Sequence, residues 1–303
     1  MRIELRHLRY FVAVADECHF TRAAERLGIG QPPLSQQIQA LEREVGTKLF
    51  KRLPRGVALT DAGQSLLDDA RTILADVARA GDHARRAARG ELGRVRIGMI
   101  NSAPFHPFVP RVIREFGQRY PQIALSLEEK STPALAAAVL DEQVDVAFVR
   151  PPLGDDERLT VQALFDEEVL IALPQGHPLA EYLSLPLDAL AAEPFVLFPR
   201  PVGAGFYDDI ISACQRSGFS PRIVQETSQI TSIVNLVAAG LGVSVVPASM
   251  QQVHSEGVTY RSIFGDRLKA RMCLVHRRDE VDSATISNLL GVIEEVRNRA
   301  LTG

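Results

Sequence analysis

Between Leu5 and Asp16 the apolar residues Leu8, Phe11, Val12 and Ala15 recur at spacings of three and four, so they share one face and predict an amphipathic helix. A second helix is expected from Thr21, an N-cap candidate with Glu25 nearby, through Ala23, Ala24 and Leu27 to the breaker Gly28-Ile29-Gly30. A third opens on Pro32-Pro33, which a first helical turn tolerates, and turns Leu34, Ile38, Leu41 and Val45 inward. Two short helices joined by a glycine-containing turn, with alanines where they cross, have the helix-turn-helix pattern. Lys48-Leu49-Phe50 and Val57-Ala58-Leu59 then read as two strands around a basic turn from Lys51 to Gly56, which makes a wing. A three-helix interaction module with a polar surface helix is the alternative, and the wing weighs against it.

Proline is absent from Thr60 to Ala103, and Leu66, Ala70, Ile73, Val77, Ala80, Ala84 and Ala87 alternate by four and three. A helix of about 27 residues, roughly 40 Å long, follows from that spacing. Its apolar stripe needs a partner, so the seam predicts a dimer; a linker packed against its own domains is the alternative. Arg85, Arg86 and Arg89 before Gly90 suit a helix C-terminus.

After Gly93 the pattern alternates. Arg94 to Met99, Ile123 to Glu129 and Val144 to Val149 read as strands, with helices from Pro107 to Tyr120 and from Pro133 to Leu140 between them. A strand from Val169 to Leu173 leads into a second series. There, strands from Phe195 to Phe198, Arg222 to Gln225 and Gly242 to Val246 alternate with helices from Gly205 to Ser217 and Gln229 to Ala239. Met272 to Val275 and a helix from Ser283 to Arg299 close the chain, back on the first lobe. The expected fold class is α/β with an N-terminal winged helix-turn-helix, a long dimerisation helix, and two Rossmann-like lobes. The lobes resemble periplasmic binding proteins, joined by a double crossover near residues 162–168 and 265–270. The expected domains are 1–60 for the winged part, 61–90 for the linker helix, 91–163 with 268–303 for the first lobe, and 164–267 for the second.

With 303 residues, 46% apolar and 23% charged, this is an ordinary globular chain of about two or three domains. No apolar run approaches the roughly 18 residues that cross a bilayer, and the opening residues lack a signal peptide's apolar core. A cytoplasmic location without a membrane partner is expected. Cys18, Cys214 and Cys273 form no CxxC pair or metal spacing and read as reduced thiols. A net charge of −3 argues against nucleic acid until the chain is split. Residues 1–60 hold ten Lys or Arg against six Asp or Glu, net +4, while residues 91–303 hold 19 against 26, net −7. A small nucleic-acid-binding end on an acidic body fits that asymmetry, as does a merely solvated basic face.

On the outer face of the third helix, Gln31, Ser35, Gln36, Gln39 and Arg43 lie at helical spacing. Glutamine amides read adenine in two-point contacts, Arg and Ser reach guanine edges or phosphates, and an Arg on the wing suits a narrow minor groove. The candidate DNA-contacting set is therefore Thr21, Gln31, Pro32, Pro33, Ser35, Gln36, Gln39, Arg43, Arg52 and Arg55, with double-stranded promoter or operator DNA as partner. In the lobes, a ligand belongs outside the strand C-termini, where helix N-termini favour an anion. The loops there offer Asn101, Ser102, Ser131, Thr132, Arg150, Val202, Gly203 and Thr227, the last followed by Ser228. Each Ser or Thr also reads as a simple N-cap, and Arg150 as an inter-lobe ion pair. There is no GxSxG elbow, P-loop or HExxH, Gly203-Ala204-Gly205 lacks the third glycine of a dinucleotide fingerprint, and His177 in a Gly-His-Pro turn reads as structural. No catalysis, cofactor or metal is expected.

The segments Leu8-Arg9-Tyr10-Phe11, Phe20 to Leu27, Gln31 to Ile38, Leu41-Glu42 and Gly46 to Phe50 resemble the LysR-type transcription regulators. So do Pro174 to Leu179, Phe198-Pro199-Arg200 and Leu236 to Pro247, and the resemblance covers nearly the whole chain. Gly30 stands where that family often has Ser, and Gln36 where it often has Arg. The resemblance implies a DNA-binding domain with Gln31 to Arg43 in the major groove and the wing around Arg55 over the minor groove. It implies self-association through the long helix as a dimer and commonly a tetramer, contact with RNA polymerase, and a small-molecule effector between the lobes. Within the family it is nearest to regulators of aromatic-compound catabolism, which answer small carboxylates or aromatic acids.

Overall fold

In the computed structural model, which describes residues 2–154, 156–253, 256–265, 268–278 and 283–302, the chain divides into two compact units, Met1–Arg86 and Ala87–Gly303. The first contains helices α1 (Leu5–Glu17), α2 (Phe20–Leu27) and α3 (Gln31–Val45), followed by strands β1 (Phe50–Leu53) and β2 (Gly56–Leu59) and the long helix α4 (Asp61–Ala88). Phe11, Leu34, Leu41 and Leu49 are fully buried at its centre, each worth roughly 1.5 to 3 kcal/mol of burial.

Two expectations for this unit are corrected. Thr21 is not the N-cap of α2; His19 is, its ring Nδ1 accepting from the Thr21 N–H at 3.2 Å. Lys48 and Leu49 are not in the wing, whose strands pair from Phe50↔Leu59 to Leu53↔Gly56 around Pro54-Arg55. The cause is Glu42, a carboxylate buried on α3. Its Oε1 accepts from the Leu49 N–H at 3.0 Å and its Oε2 takes the Lys48 Nζ at 2.7 Å. A buried carboxylate needs such donors, so this segment is tethered to α3 instead of extending the ladder.

Helix α4 starts where the Thr60 Oγ1 accepts from the Gly63 N–H at 3.0 Å and donates to the Lys48 carbonyl at 2.7 Å. Gly63, Leu67 and Ala70 are buried, and Arg71 reaches Asp16 at 2.6 Å. Further along the seam Ile73 and Val77 are 42% and 40% exposed. A stripe of that kind calls for a second helix. In a fragment of residues 1–90, Ile73→Asp should raise the dimer dissociation constant about a hundredfold or more, because it places charge in an apolar seam. Sedimentation equilibrium measures this, and an unmoved constant removes the seam as the interface.

The second unit opens with β3 (Gly93–Met99), α5 (Phe108–Arg119), β4 (Ile123–Glu129), α6 (Thr132–Leu140) and β5 (Val146–Val149). Then come β6 (Leu159–Pro174), β7 (Ser184–Leu185), β8 (Pro194–Leu197), α7 (Ala204–Arg216), β9 (Arg222–Glu226), α8 (Ile230–Ala238), β10 (Ser244–Pro247), β11 (Val258–Ile263), β12 (Lys269–Arg277) and α9 (Ala284–Thr302). Strand β3 lies between its parallel neighbours β4 and β5, and the sheet continues in the order β5, β12, β6, β11, β7, with β10 also on β6.

The expected strand from Val169 to Leu173 is only the end of β6. Its first part pairs with β12, from Leu159↔Arg277 to Glu168↔Lys269, and its last part pairs with β10 and β11. One strand thus serves two hydrophobic cores. Phe116, Phe148 and Ile97 lie in one with Leu289 and Ile293 of α9; Ile171, Leu173, Leu190 and Phe195 lie in the other. At the expected double crossover β6 and β12 form an antiparallel ladder; residues 266 and 267 lie outside the described residues. No described helix is long and apolar enough to cross a membrane.

Candidate functional site

On the first unit, Thr21, Gln31, Ser35, Gln39 and Arg52 line one concavity between α3 and the wing, beside His19 and Lys48. Pro32, Pro33, Gln36, Arg43 and Arg55 are exposed but lie outside that lining. Gln31 Nε2 donates to Ser35 Oγ at 2.9 Å, and Arg43 Nε to the Gln39 carbonyl at 3.3 Å, so parts of the face are pre-ordered. Several cations here are occupied by carboxylates: Arg26 by Asp16 and Glu17, Arg71 by Asp16, and Lys48 by Glu42. Arg43, Lys51, Arg52 and Arg55 have no carboxylate partner among the described residues and are available to phosphates.

In the second unit the C-terminal ends of β3, β4, β5, β8, β9 and β10 meet at a cavity of about 240 Å³. Seven of the eight residues expected at the ligand site line it: Asn101, Ser102, Ser131, Thr132, Arg150, Val202 and Gly203. Thr227 does not. Its N–H still continues the β8–β9 pairing by donating to the Leu197 carbonyl at 3.0 Å, and the next residues, Ser228 and Gln229, reach the cavity instead. The N-cap positions of α6, α7 and α8 are Ser131, Gly203 and Gln229, and none has a side-chain cap hydrogen bond. Three helix N-termini therefore keep their first N–H groups free of side-chain caps around one cavity, which favours an anion. Ser131 is thus no simple cap, while Thr132 Oγ1, buried, donates to the Arg150 carbonyl at 3.3 Å. Asn101 Nδ2 donates across the cleft to the Ser228 carbonyl at 2.6 Å.

Arg150 also makes the inter-lobe ion pair. Its Nη2 lies 2.9 Å from Glu167 Oε2, with the two side chains 6% and 3% exposed, and the other Glu167 oxygen accepts from the Ser249 N–H at 2.6 Å. The guanidinium carbon sits 5.4 Å above the Phe206 ring. Burial pulls the guanidinium below its ordinary value and Glu167 pulls it back up. It stays charged, since Arg is not deprotonated in proteins. Nearby, the His106 ring stacks on Phe165 at 3.9 Å, and burial lowers its affinity for a proton.

Glu42 and Glu167 were not singled out from sequence. A carboxylate in a polar stretch such as Asp166-Glu167-Glu168 looks solvated until its distant partner is placed. The informative signal was Arg150 directly after a fully apolar strand, which demands a counterion.

The chain's relatives bear on this geometry. Residues 5–64 match the bacterial regulatory helix-turn-helix protein, lysR family, and residues 88–298 the LysR substrate binding domain. The chain is 42% identical to the uncharacterized regulator YnfL of Escherichia coli (strain K12), over 95% of this chain and 97% of that one. It is 41% identical to BudR of Raoultella terrigena, over 95% and 99%. The crystal structure of full-length CbnR complexed with its target DNA superposes with a TM-score of 0.86 at 28% identity, covering 97% of this chain and all of that one. A helix-turn-helix segment followed in the same chain by a LysR substrate binding domain accounts for these matches, and the chain belongs to the LysR family of bacterial helix-turn-helix transcription regulators.

Proposed function

We propose that this regulator responds to a small carboxylate or aromatic acid bound between its lobes by Ser102, Ser131, Thr132 and Arg150, with Asn101, Val202 and Gly203 closing the site. The carrying observation is the convergence of three N-termini without side-chain caps and one buried guanidinium on a single cavity. On the first unit Gln31, Ser35, Gln36, Gln39 and Arg43 read the operator's major groove, and Arg52 and Arg55 of the wing meet the minor groove. Thr21, Pro32 and Pro33 sit against the backbone at the start of the reading helix. Functional boundaries fall at residues 60 and 90, and near 163 and 268. The protein acts in the cytoplasm, without catalysis or a cofactor, as a dimer through α4 that assembles into a tetramer and contacts RNA polymerase.

The test separates the two functions. Gln36→Ala with Arg55→Ala should lower operator affinity about tenfold or more and flatten its fall with log salt, because base and phosphate contacts are lost. Effector affinity should not move. Ser102→Ala with Thr132→Ala should do the reverse, weakening effector binding about fivefold to a hundredfold while effector-free operator binding stays near wild type. Footprinting and calorimetry run in parallel decide it. Loss of operator binding in the second pair, or unchanged effector affinity there, excludes the cleft assignment.

A further inference from the structure

Resting on the anion reading of the cavity, we infer that the site takes a singly charged carboxylate with an apolar body and turns dicarboxylates away, and that Glu129 sets this rule. Each cation on the wall already has its counterion. Arg150 is paired with Glu167 at 2.9 Å, and a second donor of the same guanidinium reaches the Arg271 carbonyl at 3.4 Å. Lys130 Nζ lies 2.7 Å from Glu128. Glu129, also on the wall, has no cationic partner among the described residues, so once the counterions Glu128 and Glu167 behind the wall are counted, the site carries one carboxylate in excess.

What remains for an incoming anion is a small set of donors. Arg150 Nε is buried with no hydrogen-bond partner among the described residues, and the buried Ser102 hydroxyl and the backbone N–H groups at the starts of α6, α7 and α8 join it. Helix N-termini each present about half a positive charge, enough to hold one carboxylate. Ile100, Phe198, Val202, Phe206, Ile230 and Pro247 form the apolar part of the lining, and Asn101, Ser131, Thr132, Ser228 and Gln229 add neutral polar groups without charge. The rings of Phe198 and Phe206 lie 12° from parallel with centroids 6.0 Å apart. A second carboxylate on the same ligand finds no unpaired cation on the wall: it meets the apolar surface, where its desolvation is uncompensated, neutral hydroxyl and amide groups, which leave its charge unneutralised, or the charge of Glu129. A flat or alicyclic monocarboxylate carries no such second charge.

The experiment is calorimetry on the full-length chain near neutral pH with matched acids, benzoate against phthalate and terephthalate, and cyclohexanecarboxylate against cyclohexanedicarboxylate. The monocarboxylate of a pair should bind about tenfold or more tightly than its dicarboxylate. Glu129→Gln should narrow that gap about fivefold by improving the dicarboxylate. A dicarboxylate that binds wild type as tightly as its partner, or a gap unmoved by Glu129→Gln, overturns the charge rule and leaves the anion reading standing. Binding by neither series overturns both.

Discussion

Glu167→Gln should destabilise the unit formed by residues 87–303 by about 3 to 5 kcal/mol, because it strands the Arg150 guanidinium inside the protein without a counterion. The substitution keeps shape and keeps an acceptor for the Ser249 N–H, so what is removed is charge. For a unit of this size the loss lowers its melting temperature by roughly 10 °C. Adding Arg150→Met should recover most of it, since a buried pair replaced as a whole costs little while half a pair costs much. The size of the effect separates this pair from those on the surface. Arg119 and Glu295 approach equally closely, at 2.9 Å, but are 53% and 55% exposed, and solvent screening makes breaking that pair far less costly than breaking the buried one. Denaturation of the two single variants and the double variant gives the coupling directly; purely additive losses would falsify the account of Arg150 as a charge neutralised by Glu167.

Gly205→Ala should weaken effector binding about tenfold to a hundredfold without a direct ligand contact being lost. A Cβ at that position would lie 1.8 Å from the Pro151 carbonyl oxygen, which is backbone and cannot swing aside. Helix α7 must therefore back away from the turn after β5, at a cost of about 1 to 3 kcal/mol, and it carries Gly203 and Phe206 of the cavity wall with it. Gly154→Ala is the control, because nothing lies within 4 Å of its added methyl. Titration with whichever monocarboxylate binds wild type, alongside operator footprinting without effector, checks both halves. Equal affinities in the Gly205 and Gly154 variants would remove the close approach of α7 from the account.

The parts of the molecule that sequence disclosed are those where periodicity and position agree. Leu8, Phe11, Leu34, Ile38 and Leu41 mark their helix faces, and all are buried. The cleft residues were reachable because a loop after a strand and before a helix has one place to go in an α/β lobe. What escaped was set by long-range partners. In the first half of β6, Leu164 breaks the alternation begun by Leu159, Val161 and Ala163, and the charged run Asp166-Glu167-Glu168 follows, so the stretch reads as a linker until β12, more than a hundred residues later, pairs with it. Strand β11 is half-buried apart from exposed Ser262 and offers no alternation of burial. The displaced start of the wing followed from Glu42, a buried acid on a helix whose other polar residues are exposed or half-buried.

The passage of β12 and α9 back to the sheet begun at Gly93 has a consequence while the chain is being made. The winged unit and nearly all of the second lobe's core leave the ribosome before Lys269, whereas β3, β4 and β5 wait for strands that are translated last. Until then Val146-Ala147-Phe148-Val149, fully buried in the finished protein, presents an apolar strand edge with no neighbour to cover it. Nascent chains of this protein therefore carry one sticky edge from the completion of β5 until β12 follows, more than a hundred residues later, and that edge is where a chaperone would be needed.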